Sequence, residues 1–315
     1  MFQYPGRVEQ PQARLANVNL ILGDNGGGKS SVLRALTVAI LASVLPSTGF
    51  IAHRLVRRNR KGMAPAEQAE LKVKIAPTGT VYFPELPTSL AAMIASRQKG
   101  NIDILEPVPA SIASWPGEAL YDDDSPAFFL VGYGATRRVE TSDFSESSSR
   151  RSRGLRYQRV AGLFEDHLAM RPLQSWFHRL DYDHPRKHEV IAQLQLCLPE
   201  QLIFTGQRDE EDQYLFEFEG IETPLSGLSD GYKAFVGWVS DLISHIVDVA
   251  PQMKLDALPG IVMVDEIDLH LHPEWQRSVV PRLAAAFPNL QFIFTSHSPL
   301  VASTVERYNV FVTDR

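Results

Sequence analysis

The stretch Gly23-Asp-Asn-Gly-Gly-Gly28-Lys29-Ser30 constrains this chain more than any other, because it fits G-x-x-x-x-G-K-[ST] and stands between a strand and a helix. Asn17–Leu22 is a short β-rich run, and Ser30–Leu45 carries the apolar periodicity of a helix. Small residues at such a turn let successive backbone N–H groups point inward around phosphate oxygens, and the following helix adds the positive end of its dipole. Asn25, Gly26, Gly27, Gly28, Lys29, Ser30 and Ser31 are therefore the candidate phosphate-binding residues. Lys29 is expected to reach the β and γ phosphates of a nucleotide, and the Ser30 hydroxyl to ligate Mg²⁺.

A second element fits that loop. Ile261-Val-Met-Val264 is an apolar strand that delivers Asp265 and Glu266 at its C-terminal end, the end at which open α/β sheets bind ligands. Alone, an Asp-Glu pair after a strand also reads as a solvated turn or a helix start. Beside a phosphate loop, Asp265 is expected in the Mg²⁺ shell and Glu266 as the acceptor that polarises an attacking water. Gln291–Thr295 and Ala127–Tyr133 are further continuous apolar runs of the kind found in central parallel strands. The expected fold class is α/β, with a mostly parallel sheet.

With 315 residues, 44% of them hydrophobic, the chain can bury a sizeable core as one large or two modest domains. The net charge of -6 excludes a uniformly basic nucleic-acid coat. The tract from His53 to Lys61 and the cluster Arg150, Arg151 and Arg153 are locally basic, which leaves DNA as a candidate partner and solvated loops as the alternative. Cys197, the single cysteine, can form neither an intramolecular disulfide nor a zinc cluster, and its apolar surroundings suggest core packing. His184 and His188 lack the partners of a metal site. Met1 to Arg14 is polar, and the early apolar run Ala35 to Leu45 is only about eleven residues, so neither a signal nor a membrane span is expected and the cytoplasm is the expected location.

From Pro46 to Pro126 the pattern is irregular, with strand candidates at Leu71–Ile75 and Thr80–Phe83, and reads as an insertion. Ser142 to Arg153, rich in serine and arginine, reads as a mobile loop. Phe164–Leu180, Lys187–Leu198 and Gly231–Val249 have helical spacing, while Tyr214, Phe216 and Phe218 alternate as in a half-exposed strand. Sustained heptads are missing, so no long coiled-coil arm is expected.

Leu228-Ser229-Asp230-Gly231-Tyr232-Lys233 opens one of these helices, with Ser229 or Asp230 suited to the N-cap. It lies about 200 residues after Lys29 and about 35 before Asp265, and Thr295-Ser296-His297-Ser298-Pro299 follows about 30 residues past Glu266. Four elements in this order resemble the ABC-type ATPases, Leu-Ser-Asp-Gly-Tyr taking the place of their signature and His297 that of their switch histidine. More narrowly, Val264-Asp-Glu-Ile-Asp-Leu-His-Leu-His-Pro273 and Val131-Gly-Tyr-Gly-Ala-Thr-Arg-Arg138 resemble the stand-alone prokaryotic members. These are the RecF- and SMC-like group and, above all, phage-defence ATPases of the OLD and Septu PtuA kind.

That resemblance implies ATP and Mg²⁺ as cofactors and a head-to-tail homodimer with ATP at its interface, each nucleotide lying between the phosphate loop of one subunit and Ser229 and Gly231 of the other. It implies a single ABC-type head over residues 1–315, with an insertion at 46–126, a helical signature lobe at 154–249, and the Asp265–Glu266 and His297 part of the core at 260–315. The implied function is an ATP-hydrolysing sensor or regulator of a separate, nuclease-like effector in antiphage defence. Only about 18 residues follow His297, so the effector is expected on another chain or beyond the end. A RecF-like DNA-maintenance ATPase is the alternative; a transporter subunit fits the Leu-His-Leu-His-Pro wording poorly. One departure stands out: where the family's coupling loop carries glutamine, this chain has Gly134-Ala-Thr-Arg. Arg137 and Arg138 could contact phosphate or a partner, or be exposed ion-paired residues. Asp268, His270 and His272 fall where the family's chain passes the dimer axis.

Overall fold

Uninterrupted apolar runs bounded by polar turns favour strands buried on both faces, and two such runs form the centre of a sheet. The computed structural model describes residues 15–42, 44–53, 55–56, 64–75, 89–98, 102–108, 122–123, 125–126, 128–139, 154–166 and 168–313. Along the chain the strands are β1 (Val18–Gly23), β2 (Ala52–His53), β3 (Gln68–Ile75), β4 (Ser89–Arg97), β5 (Ile102–Pro107), β6 (Leu130–Tyr133) and β7 (Arg138–Val139). They continue with β8 (Ala169–Met170), β9 (Leu202–Arg208), β10 (Tyr214–Phe218), β11 (Ile221–Pro224), β12 (Gly260–Val264), β13 (Leu290–Ser296) and β14 (Val310–Thr313).

The main sheet runs β14-β1-β13-β12-β6, and each of its pairings is parallel. Val262, Met263 and Val264 on β12 and Phe292, Ile293 and Phe294 on β13 are buried. Register brings the strand ends into line: Leu22 stands beside Ser296, and Val264 beside both Phe294 and Tyr133. The fold is therefore of the P-loop α/β type, and the residues after β1, β6, β12 and β13 leave from one edge. Asn17, just before β1, places its side-chain amide on the carbonyls of Ala284, Phe287 and Leu290, tying the end of the Val279–Ala286 helix to the start of the sheet.

Two compact units make up the chain. The first comprises Met1–Lys29, Phe129–Ser145 and Ala161–Arg315; the second comprises Ser30–Phe128 and Glu146–Val160. The second holds an antiparallel sheet in the order β2-β5-β4-β3, so the stretch that read as irregular contains ordered strands. Thr80–Phe83, the basic tract save His53, Leu55 and Val56, and Ser142–Arg153 lie outside the described residues.

Within the first unit, the long helix expected over Phe164–Leu180 is replaced by the short strand β8, the brief helix Leu173–Phe177 and a 3-10 turn over His178–Tyr182. Pro172 is the cause: it lacks an N–H and drives the preceding residue to extended backbone. The antiparallel sheet β11-β10-β9 packs an aromatic cluster, with Phe177 5.4 Å from Phe204 and 5.0 Å from Tyr214 between ring centroids. Each such pair contributes about 0.5–1.5 kcal/mol beyond the area it buries. Cys197 is buried and burial pushes its thiol up, as a packing role requires. Among the described residues, no helix is long and apolar enough to cross a membrane.

Candidate active site

The loop after β1 takes a shape that only glycine adopts readily. Gly26 and Gly28 have φ of 79° and 89°, in the left-handed region, and a Cβ at either would meet nothing within 4 Å. Backbone conformation, not crowding, calls for glycine there, and it leaves an open concave backbone of the type that receives phosphate oxygens. Lys29 opens the helix Lys29–Ile40 and is buried. Its ammonium donates to the carbonyls of Gly23 at 2.9 Å and Asp24 at 3.1 Å. Ser30, half-buried, and Ser31, exposed, complete a first turn that carries no acidic residue of its own against the positive helix end.

At the end of β12, Asp265 donates its N–H to the Tyr133 carbonyl at 2.8 Å and remains buried. Glu266 follows with φ 49°, a left-handed conformation that costs a non-glycine residue about 1–3 kcal/mol and persists only where neighbours over-determine it. Those neighbours are Thr295 and Arg137. The Thr295 hydroxyl accepts the Glu266 N–H at 2.7 Å and donates to Asp265 Oδ1 at 2.5 Å. Arg137 donates through Nη1 to the Asp265 carbonyl at 2.6 Å and through Nη2 to the Glu266 carbonyl at 2.9 Å. Burial lowers the Arg137 pKa to about 10, against the opposing pull of Asp265, Glu266 and Asp268, so it stays protonated at neutral pH. The sequence left Arg137 between several roles and gave Thr295 none; their contacts depend on strand neighbours more than 100 and about 30 residues away.

Because β13 lies between β1 and β12, the residue that leaves its end can reach both sides. His297 does so: Nε2 is 2.7 Å from Lys29 Nζ and 3.9 Å from Glu266 Oε1. The structure thus brings Lys29, Asp265, Glu266 and His297 together.

Ser229 and Gly231 stand elsewhere, at the start of the helix Asp230–Val249. Ser229 is its N-cap, with extended backbone (φ -62°, ψ 156°), yet its side chain makes no capping hydrogen bond. Gly231 has a packing reason of its own: a Cβ there would lie 2.3 Å from the His270 carbonyl oxygen, so only glycine lets the helix approach that segment. The neighbouring Asp230 carboxyl is held below the usual carboxylate range by its hydrogen bond from Lys233. Among the described residues, no hydrogen bond or ion pair joins Ser229 or Gly231 to Lys29, Asp265, Glu266 or His297.

His272 caps the short helix Pro273–Gln276, accepting from the Glu274 N–H at 3.4 Å. Among the described residues no cluster of three or more His, Cys, Asp or Glu could hold a metal by itself. Mg²⁺ does not need one: it takes one or two carboxylates together with substrate phosphates, so Asp265 beside an open phosphate loop is a fitting donor set.

Deeper in the same unit, Asp241 is buried on the helix Asp230–Val249. It accepts from the Tyr133 hydroxyl at 2.8 Å and the Arg171 N–H at 2.7 Å, and lies 3.3 Å from His245. Burial alone would raise its pKa, but His245 and these donors outweigh burial and bring it down to about 2. Tyr133 therefore links that helix through its hydroxyl to the β12 end through its carbonyl.

A family described as "AAA domain, putative AbiEii toxin, Type IV TA system" matches residues 120–303, more than half of the chain. The chain is similar to the Septu protein PtuA of Bacillus mycoides (strain KBAB4), 27% identical over 89% of this chain and 34% of that protein. It is also similar to the Retron Vc95 "probable ATPase" of Vibrio cholerae serotype O1 biovar El Tor, 47% identical over 27% of this chain and 17% of that protein. The chain thus spans about a third or less of the length of these relatives. Among solved structures, the SMC head domain from Thermotoga maritima matches at 16% identity with a TM-score of 0.45, over 92% of this chain and 84% of that one.

Proposed function

The chain belongs to that family of AAA domains, and from this premise we propose that it binds and hydrolyses ATP as a head-to-tail dimer regulating a separate effector. The observation that carries the reading is the convergence of Lys29, Glu266 and His297 at the carboxyl edge of the sheet, with His297 Nε2 2.7 Å from the Lys29 ammonium and 3.9 Å from the Glu266 carboxylate. In an open parallel sheet that edge is where ligands bind.

Magnesium ATP, when bound, supplies the γ-phosphoryl group and the ADP leaving group. The loop Asn25 to Ser31 holds phosphate oxygens, and Lys29 exchanges its present partners for those of the β and γ phosphates. Ser30 and Asp265 are the implied magnesium ligands. Glu266 accepts the proton of the attacking water as its oxygen bonds to phosphorus and the bond to ADP breaks. His297 steadies the γ-phosphate oxygens beside it. Ser229 and Gly231 of a second copy complete the site, the hydroxyl and the amide end of their helix meeting the γ-phosphate without a charged side chain.

This layout carries with it the division into an insertion at 46–126, a signature lobe at 154–249 and a catalytic part at 260–315. The Septu and retron relatives support a role in antiphage defence; the nuclease-like effector as partner is proposed from the family resemblance alone. The test is the mass of Glu266→Gln with and without Mg²⁺-ATP, and the proteins that co-purify from its operon. A nucleotide-dependent shift to dimer, with an effector bound, is expected; a monomer indifferent to nucleotide contradicts the reading.

A further inference from the structure

Arg137 is engaged in a manner that its place in the sequence does not announce. Its two terminal nitrogens grip two consecutive main-chain carbonyls, those of Asp265 and Glu266, at 2.6 and 2.9 Å. A guanidinium is a rigid planar fork, so two parallel donors fix the relative orientation of what they hold. The N–H groups of the same two peptide planes go to Thr295: the Glu266 N–H to its hydroxyl at 2.7 Å, and the Ile267 N–H to its carbonyl at 3.0 Å. Each peptide plane flanking the Glu266 Cα is thus held at both ends, by Arg137 on the oxygens and Thr295 on the nitrogens. Glu266 sits at φ 49° between those clamps. Nothing of the carboxylate's placement is left to the backbone, and only its side-chain torsions stay free.

We infer that Arg137 is a positioning residue for the reaction, holding Glu266 in its left-handed conformation so that the carboxylate meets the attacking water. The inference rests on the reading of Glu266 as the proton acceptor. It assigns Arg137 to the main chain of the catalytic segment, and not to a phosphate or a partner.

The experiment compares wild type, Arg137→Gln, Arg137→Lys, Glu266→Gln and Arg137→Gln/Glu266→Gln as full chains. It reads ATP turnover, affinity for a fluorescent ATP analogue, and thermal unfolding to establish folding. Misplacing a reacting group by about 1 Å costs on the order of 10²-fold in rate, so Arg137→Gln should lose about that much kcat with affinity changed less than about threefold. Lysine, which cannot span both carbonyls, should restore only part of it. In the Glu266→Gln background the arginine change should add nothing further. Backbone amide exchange over residues 265–269 should quicken in Arg137→Gln, a readout that needs no turnover.

Loss of affinity in proportion to kcat would make Arg137 a phosphate contact and overturn the inference. So would wild-type turnover in Arg137→Gln, or unchanged exchange over 265–269. Wild-type turnover in Glu266→Gln would instead remove the underlying assignment of the base, whatever Arg137 does, and the two failures are distinguishable.

Discussion

At the carboxyl edge of the parallel sheet, a hydrogen bond joins Lys29 to His297, the Thr295 hydroxyl bridges Asp265 and the Glu266 N–H, and His297 Nε2 lies 3.9 Å from the Glu266 carboxylate between the two. At the start of the helix Asp230–Val249 the arrangement is opposite: Ser229 is exposed and its side chain does not cap the helix it begins. A helix N-terminus leaves several N–H groups without intrahelical partners, and serine at the N-cap ordinarily satisfies one. Here the first region is organised within a single chain, and the second has hydroxyl and amides still to give. The difference fits the proposed site divided between two copies.

The sharpest way to break that comparison is to disable each region in turn. Glu266→Gln should keep nucleotide binding, lower turnover by 10²-fold or more, and accumulate dimer; turnover and mass under Mg²⁺-ATP check it. Ser229→Arg, on the other region, should cost about 10²-fold in turnover, the scale of a lost transition-state donor, while a monomer still binds nucleotide. Were it to weaken binding as much as turnover, the two regions would belong to one intrachain site and the contrast would fall. Thr295→Val should be milder, about tenfold in kcat: it strips the hydroxyl between Asp265 and the Glu266 N–H but keeps the Thr295 carbonyl and Arg137 in place.

The smallest effect concerns the link between the regions. Asp241 has its folded pKa depressed to about 2, so its contribution to stability is present above the ordinary carboxylate pKa and is lost as pH falls through the folded value. Asp241→Asn should therefore cost roughly 2 kcal/mol at pH 7. The gap in Tm from wild type should narrow as pH drops from about 4 to about 2. A gap independent of pH would mean that the charge of Asp241 does not hold the helix to Tyr133.

Much of this was legible beforehand, for physical reasons. β12 is an apolar run followed by two carboxylates, β1 a largely apolar run that enters the glycine loop, and β13 one that ends at Ser296 before His297, a pattern that fixes both burial and the functional edge. The family resemblance carried by Val131–Arg138 and Val264–Pro273 is borne out by the AAA family match and the Septu relative. β4 was not legible: Ser89-Leu-Ala-Ala-Met-Ile-Ala-Ser-Arg97 buries Ala92, Met93 and Ala95, and alanine gives a strand little of its usual signature. Helical spacing over Phe164–Leu180 misled because periodicity does not register what Pro172 forbids. The grip of Arg137 and Thr295 on Glu266 was hidden for another reason. It is made through main-chain groups, and which carbonyl an arginine meets depends on strand order, here β13-β12-β6, which no local spacing encodes.

The central claim, that one working site draws on two copies, is tested most directly by mixing two impaired variants, Lys29→Ala and Ser229→Arg, and measuring ATP turnover. In a head-to-tail pair the intact loop of the Ser229→Arg chain faces the intact Ser229 of the Lys29→Ala chain. The mixture should therefore recover turnover that neither variant has alone, in proportion to the mixed dimer. Turnover in the mixture no greater than the sum of the two separate variants would contradict the account.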